Sequence, residues 1–139
     1  MQRITPYLTY LDARTAIEWL CQTFGFEEVL RYVEPDGTVS HAELALQGAS
    51  VFLSHRDAAD ESARGCGLQT VHVLVDDVNA HCVHARRAGA RVVSQLEETP
   101  VGLRRYRVED LDGNRWIFAE RLREVAPREW GAVTPDRRP

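Results

Sequence analysis

The stretch PYLTYLDARTAIEWLCQTFGF, residues 6–26, decides the fold because its plan recurs in TVHVLVDDVNAHCVHARRAGA, residues 70–90. Each stretch predicts a short strand, an aspartate cap, a helix with one apolar face, and a glycine that ends the helix. The predicted caps Asp12 and Asp76 are 64 residues apart. Self-similarity at a fixed shift indicates two copies of one structural module.

Three further strands follow each helix, and short turn signals join them. The strand segments are EEVLRYVE, VSHAELAL and SVFLSH in the first half, and ARVVSQLEE, LRRYRVED and RWIFAE in the second. The turns PDG, QGA, TPVG and LDGN between them are typical of hairpins. The sequence therefore predicts two βαβββ modules: module 1 over about residues 4–57, a linker over 58–68, module 2 over about 69–121, and a tail over 122–139.

A βαβββ module covers only one face of its sheet with a helix, so the other face stays bare. We expect an α+β fold in which both modules, within a single domain of residues 1–139, form a curved mixed sheet around a cleft. Side chains alternate between the two faces of a strand, so every second residue points into this cleft.

Composition excludes several classes of function. The formal net charge of -4, with a pI of about 5.7, provides no basic field for nucleic acid. No window approaches the roughly 20 apolar residues of a membrane span, so we expect no membrane partner and a cytoplasmic location. All 17 basic residues are arginine, which excludes a Schiff-base or P-loop lysine. Cys21, Cys66 and Cys82 lack CxxC spacing and form an odd set, which favours a reducing compartment.

The duplicated plan and the closing motif YRVEDLDGNRWIF, residues 106–118, resemble the vicinal oxygen chelate superfamily of glyoxalases, bleomycin resistance proteins and dihydroxybiphenyl dioxygenases. The likeness covers residues 4–121. Within the superfamily, SHAELALQGASVFLSH, residues 40–55, is most similar to the bleomycin-resistance and PhnB-like branch. The resemblance implies a glyoxalase-like fold and a homodimer with its clefts at or near the contact between two chains.

In metal-dependent members of that superfamily, four strands each present a His or Glu to a divalent cation. The resemblance places these four sites on Thr5 or Pro6, on Phe52 or Leu53, on Thr70, and on Ile117. None of these side chains is a usual ligand, and a divalent ion among apolar groups would be uncompensated. We therefore expect no metal and no cofactor, with Ile117 adding apolar surface where relatives carry a ligand Glu.

Polar candidates lie on the same predicted strands. His41 and Glu43 are two residues apart and share a face, and His72 lies two residues from Thr70. Three interpretations stay open: hydrogen bonding to a ligand, acid/base catalysis, or a displaced metal site. The ordinary alternative is a surface or hydrogen-bonded core residue.

Arg105 and Arg107 are also two residues apart and would favour a carboxylate, phosphate or sulfate group on a ligand. The rival interpretation is a structural ion pair, with Glu43 as a candidate partner. Tyr7 and Tyr106 are predicted to stack on a planar ligand, whereas Trp116 and Phe118 are predicted to face their helix as core.

Two histidines on the second helix, His81 and His84, are three residues apart. They are close enough to share a metal, but a solvated helix face is the favoured interpretation. In the tail, Trp130 either packs back onto the domain or stays loose.

Three functions remain. The leading hypothesis is a metal-independent protein that binds and sequesters a planar or anionic small molecule, such as an antibiotic or secondary metabolite. The second is a lyase, isomerase or dioxygenase of the same fold that uses His41, Glu43 and His72. The third, a regulatory or interaction module, is favoured only by the tail and Trp130.

Overall fold

The computed structural model describes residues 2–58 and 69–135. The first module comprises β1 (Tyr7–Tyr10), α1 (Ala13–Phe24), β2 (Glu27–Val33), β3 (Val39–Leu46) and β4 (Ala49–His55). The second comprises β5 (Thr70–Leu74), α2 (Val78–Arg87), β6 (Arg91–Glu98), β7 (Leu103–Glu109) and β8 (Arg115–Arg121), and a short 3₁₀ helix, Pro127–Trp130, follows it. Most of the predicted linker, with Cys66, and the end of the tail lie outside the described residues.

Each module builds one four-stranded mixed sheet with the same strand order. The orders are β1-β4-β3-β2 in the first sheet and β5-β8-β7-β6 in the second. The first strand runs parallel to the last, whereas the other neighbours are antiparallel. Across the described ranges, no strand of one sheet pairs with a strand of the other. The predicted α+β class and the two βαβββ modules are confirmed.

The register of the two sheets is related by one constant shift. Tyr7 lies opposite Phe52 in the first sheet, and His72 lies opposite Ile117 in the second, 65 residues further along the chain. The helix caps obey the same shift because α2 is capped by Asp77, whose side chain accepts from the Ala80 amide at 3.0 Å. The prediction that Asp76 caps this helix is wrong.

The helix-covered faces of both sheets share one core. Phe24 of α1 reaches across the module boundary, and its ring centroid lies 5.5 Å from that of Trp116 and 4.8 Å from that of Phe118. Both residues of β8 are fully buried, as predicted from their alternation with Ile117. Burying aromatic side chains of this size is the largest single source of stability in such a core. The modules are therefore joined through their helical sides.

The DLDGN turn also joins the modules, which exceeds its predicted role as a hairpin turn. The carboxylate of Asp110 accepts hydrogen bonds from the Tyr10 phenol at 2.6 Å and the Trp116 indole at 3.1 Å. It also accepts from the Asn114 amide at 2.9 Å, which holds the turn itself. Burial, followed by the negative charge of Asp110, raises the pKa of Tyr10 well above its ordinary value, so the phenol remains a donor.

The two histidines of α2 bind the end of α1. Nε2 of His81 lies 2.8 Å from the Phe24 carbonyl oxygen, and Nε2 of His84 lies 2.8 Å from the Gln22 carbonyl oxygen. A carbonyl only accepts, so Nε2 of His81 carries the proton and its Nδ1 accepts from the Tyr106 phenol at 2.6 Å. The predicted solvated face is wrong for His81, because that residue fills the module boundary.

The tail begins by packing on the turn between β6 and β7. The Leu122 amide donates to the Gly102 carbonyl at 2.8 Å. Gly102 has a positive φ of 85°, and a Cβ at this position would lie 2.3 Å from the Arg123 carbonyl oxygen. Further along, Trp130 remains 46% exposed, so it provides no anchor to the core. None of the described helices is long and apolar enough to cross a membrane.

Candidate functional site

A pocket of about 350 Å³ lies over the open face of the second sheet. Its lining comes from the second module alone and consists of Thr70, Val93, Arg107, Glu109, Arg115, Trp116 and Ile117. Ile117 lies directly between its neighbours in the sheet, with His72 on one side and Arg107 on the other. The pocket therefore has an apolar floor and a cationic margin.

The guanidinium groups of this face differ in how they are balanced. Arg105 lies 3.5 Å from a Glu97 carboxylate oxygen, although its Nε is buried without an aligned hydrogen-bond acceptor. This ion pair takes the place of the predicted alternative with Glu43. Arg107, by contrast, makes no side-chain hydrogen bond or ion pair within residues 2–58 and 69–135. A bound anion would find an unmatched guanidinium here.

His72 adds a neutral imidazole to the same face. Partial burial lowers the pKa of His72, and the positive charges of Arg105 and Arg121 lower it further. The ring is therefore uncharged near neutral pH and offers one donor and one acceptor nitrogen. The positive charge at the pocket belongs to its arginines.

The open face of the first sheet carries a continuous hydrogen-bonded chain. The Tyr7 phenol lies 2.5 Å from Nδ1 of His41, and Nε2 of His41 lies 3.3 Å from a Glu43 carboxylate oxygen. The Phe52 ring packs edge-on against both Tyr7 and His41, at centroid distances of 5.6 and 5.4 Å. Cross-strand pairing explains this grouping, because Phe52 lies opposite Tyr7 on one side and Glu43 on the other.

Two predicted ligand-binding residues lie on the wrong face. Leu53 is fully buried and faces the helix, since the register places Phe52 on the open face. Tyr106 is also fully buried, and its hydroxyl group is bonded to His81. Neither side chain is accessible to a ligand, so their predicted contacts with one are wrong.

The family assignment follows from this fold and from the sequence. A model of the Glyoxalase/Bleomycin resistance protein/Dioxygenase superfamily matches residues 4–118. The chain belongs to this superfamily. Mb0911c of Mycobacterium bovis is 33% identical to it over 134 residues, covering 88% of this chain and 85% of that protein.

Two solved structures of the superfamily fold illustrate the likeness. TioX from Micromonospora sp. ML1 is 35% identical with a TM-score of 0.70, and the match covers 90% of this chain and 98% of TioX. A glyoxalase/bleomycin resistance protein from Streptomyces sp. CB03234 has a TM-score of 0.61 at 23% identity, covering 83% of this chain and 98% of that one. The second comparison supports the fold alone.

The residues at the superfamily's four metal-ligand positions do not fit a metal. These positions carry Thr5, Phe52, Thr70 and Ile117, and the register settles the choice between Phe52 and Leu53. Hydroxyl and hydrocarbon groups are poor ligands for Zn²⁺ and similar ions. In the described part of the chain, no three His, Cys, Asp or Glu side chains come together in a way that could hold an ion.

Sequence reasoning missed two charged residues of the pocket, Arg115 and Glu109. Both were readable from alternation, because Arg115 lies two residues before Ile117 on one strand and Glu109 two residues after Arg107 on the next. Their pairing across the sheet could be read only from the structure. Glu109 also lies 3.5 Å from Arg91, which leaves Arg107 as the less compensated cation.

Proposed function

We propose that this chain is a metal-independent small-molecule-binding protein of the glyoxalase/bleomycin-resistance type. Its ligand is a planar, anionic molecule of the kind found among antibiotics and secondary metabolites, which it binds and sequesters without chemical change at the second sheet. The single observation that carries this proposal is the pocket beside Ile117, which combines an apolar floor with an unpaired guanidinium at Arg107.

The size and chemistry of the pocket support such a ligand. About 350 Å³ lies within the range of small-molecule sites, which are mostly apolar with a few placed polar groups. Thr70 supplies a hydroxyl group, while Arg107 and Arg115 supply donors for a carboxylate, sulfonate or phosphate. Ile117 removes the negative charge that a ligand Glu would place beneath an anion.

A fluorescent arylsulfonate, 1-anilinonaphthalene-8-sulfonate, tests the site because it is both aromatic and anionic. We expect saturable binding to the folded protein and a roughly tenfold weaker Kd for Arg107→Ala, since a hydrogen bond to a charged group contributes about 1.5–3 kcal/mol. Arg87→Ala is the matched control, because Arg87 is an exposed arginine at the end of α2, on the other side of the sheet. Equal loss of binding in both variants would overturn the proposed site.

Metal content provides an independent check. Protein purified without chelators should contain far less than one equivalent of Zn, Ni, Mn or Fe, and arylsulfonate binding should be unaffected by EDTA. Stoichiometric metal together with measurable turnover would contradict the proposal. Native mass spectrometry of freshly purified protein would then identify any co-purified ligand.

We also propose that the protein is a homodimer. Support comes from the resemblance and from the apolar side chains that the first sheet leaves exposed, among them Leu30 at 44% and Tyr32 at 59%. Isolated apolar residues on a surface are ordinary, but a group along one edge strand is typical of a contact site. Sedimentation velocity should give a mass near twice 15.8 kDa, and a monomer at all concentrations would exclude the dimer.

A further inference from the structure

The hydrogen-bonded chain of Tyr7, His41 and Glu43 has a defined direction. Glu43 is a carboxylate that accepts, so the His41 nitrogen facing it, Nε2, is the one that carries a proton. Nδ1 of His41 is then an acceptor, and the Tyr7 hydroxyl group donates to it. The phenol proton is thereby committed to His41, and the free lone pairs of the Tyr7 oxygen point away from the protein.

The surroundings make this chain accessible to a ligand and hold it in place. Tyr7 is 54% exposed, whereas the side chains of His41 and Glu43 are 29% and 30% exposed. The Phe52 ring contacts both Tyr7 and His41, so it fixes the phenol against the imidazole and adds an apolar wall. A planar aromatic molecule lying on Phe52 would place its acidic hydrogen beside the phenol oxygen.

We infer that Tyr7, His41 and Glu43 form a metal-free proton-transfer site whose substrates are planar aromatic carbon acids. Tyr7 is the catalytic residue, because its oxygen takes the proton from the substrate. His41 takes the phenol proton on Nδ1 in the same step, and Glu43 stabilises the resulting imidazolium. His41 and Glu43 are therefore positioning residues. This site lies on the first sheet and is separate from the binding pocket proposed above.

The reaction of 5-nitrobenzisoxazole balances on these groups and provides a probe. The C–H bond breaks and its proton passes to the Tyr7 oxygen, while the Tyr7 proton moves to His41. The electron pair left on carbon forms the nitrile, the N–O bond breaks, and the oxygen leaves as a coloured phenolate. Solvent then removes the proton from His41, so no oxidant or reductant is required.

The rate of this ring opening by the full chain tests the inference. A positioned base contributes about 10²–10⁴-fold, so we expect Tyr7→Phe to lower kcat/KM at least tenfold, with a similar loss for His41→Gln and a smaller one for Glu43→Gln. Thr9→Val is the matched control, because Thr9 lies on the same strand and face and bonds only to Ser54 within the described residues. Its rate should equal that of the unaltered protein.

A spectroscopic readout separates proton transfer from a structural role. ¹⁵N NMR of His41 should show the Nε2-protonated tautomer, and Tyr7→Phe should shift the Nδ1 resonance because it removes the donor to that nitrogen. A proton on Nδ1, a wild-type rate no faster than that of Tyr7→Phe, or equal losses in Tyr7→Phe and Thr9→Val would each overturn the inference. Arylsulfonate binding in Tyr7→Phe should be unchanged, so failure here leaves the Arg107 site distinguishable.

Discussion

Tyr10 and Asp110 are 100 residues apart in the chain, yet the phenol donates a 2.6 Å hydrogen bond to the carboxylate across the module boundary. Both residues are buried, so neither can be replaced by water without cost. This single contact couples the first strand of one module to the hairpin that closes the other. It explains why the turn has an aspartate at this position in addition to its glycine.

Removing the charge at Asp110 should therefore destabilise the whole domain. We expect Asp110→Asn to lower the free energy of unfolding by about 2–4 kcal/mol, since buried donors are left poorly paired. Tyr10→Phe should cost about 1–2 kcal/mol. Urea unfolding of both single variants and the double variant measures the coupling between them. Strictly additive losses would contradict a direct interaction between the two side chains.

The caps of α2 offer a matched pair of neighbouring aspartates. Asp77→Ala should cost about 1 kcal/mol, because Asp77 satisfies the free Ala80 amide at the start of the helix. Asp76→Ala should be nearly neutral, since the interaction described for Asp76 uses its backbone amide, which donates to Gln47. Thermal unfolding of the two variants distinguishes these roles, and equal losses would contradict the assignment of the cap.

Stability should decrease as the solution is acidified, in part because of His81. Burial lowers the pKa of His81 below its ordinary value of 6.5, and the nearby charge of His84 lowers it further. Below about pH 6.5 the unfolded chain therefore binds more protons than the folded chain, and the free energy of unfolding falls as pH falls toward the folded pKa. This contribution is fully present above that window.

Unfolding midpoints in urea between pH 5 and pH 7.5 provide the measurement. His81→Gln should flatten the dependence on pH, although a share from His72, whose pKa is also lowered, should remain. An unchanged slope in His81→Gln would show that this ring stays uncharged for another reason or does not titrate in the range.

Two glycines with almost the same backbone angle should respond differently to alanine. At Gly102 the added Cβ would collide with the Arg123 carbonyl oxygen, so we expect a loss of more than 2 kcal/mol. At Gly113, φ is 82° and no atom lies within 4 Å of the added Cβ, so only the strain of about 1–2 kcal/mol remains. Thermal unfolding compares the two, and a larger loss at Gly113 would contradict the contact with the tail.

Much of the fold was predictable because it depends on local periodicity and on duplication. Alternation placed Trp116 and Phe118 in the core and Ile117 on the open face, and all three are found there. Errors arose where one residue of register mattered. Strand alternation reverses with a shift of one, so Leu53 could not be separated from Phe52 without the neighbouring strand.

The contacts between modules were not predictable from local patterns. His81 resembles a solvated helical histidine until the end of α1 is brought beside it. Tyr106 was assigned to a ligand for the same reason, because its partner lies on another element. The hydrogen bond from Tyr7 to His41 likewise joins strands that are adjacent only through β4. Such partners depend on how the two halves dock, which no single stretch of sequence specifies.

The position of Phe24 has a consequence for how such a chain originates. Its ring fills a space walled by the opposite half, so an isolated half-length protein would leave this aromatic group in water. A half-length ancestor would therefore require a twin of itself to fold stably. Gene duplication and fusion then turned that encounter between two molecules into an event within one polypeptide, and independent drift of the halves became possible, with a tyrosine in one where the other has a histidine.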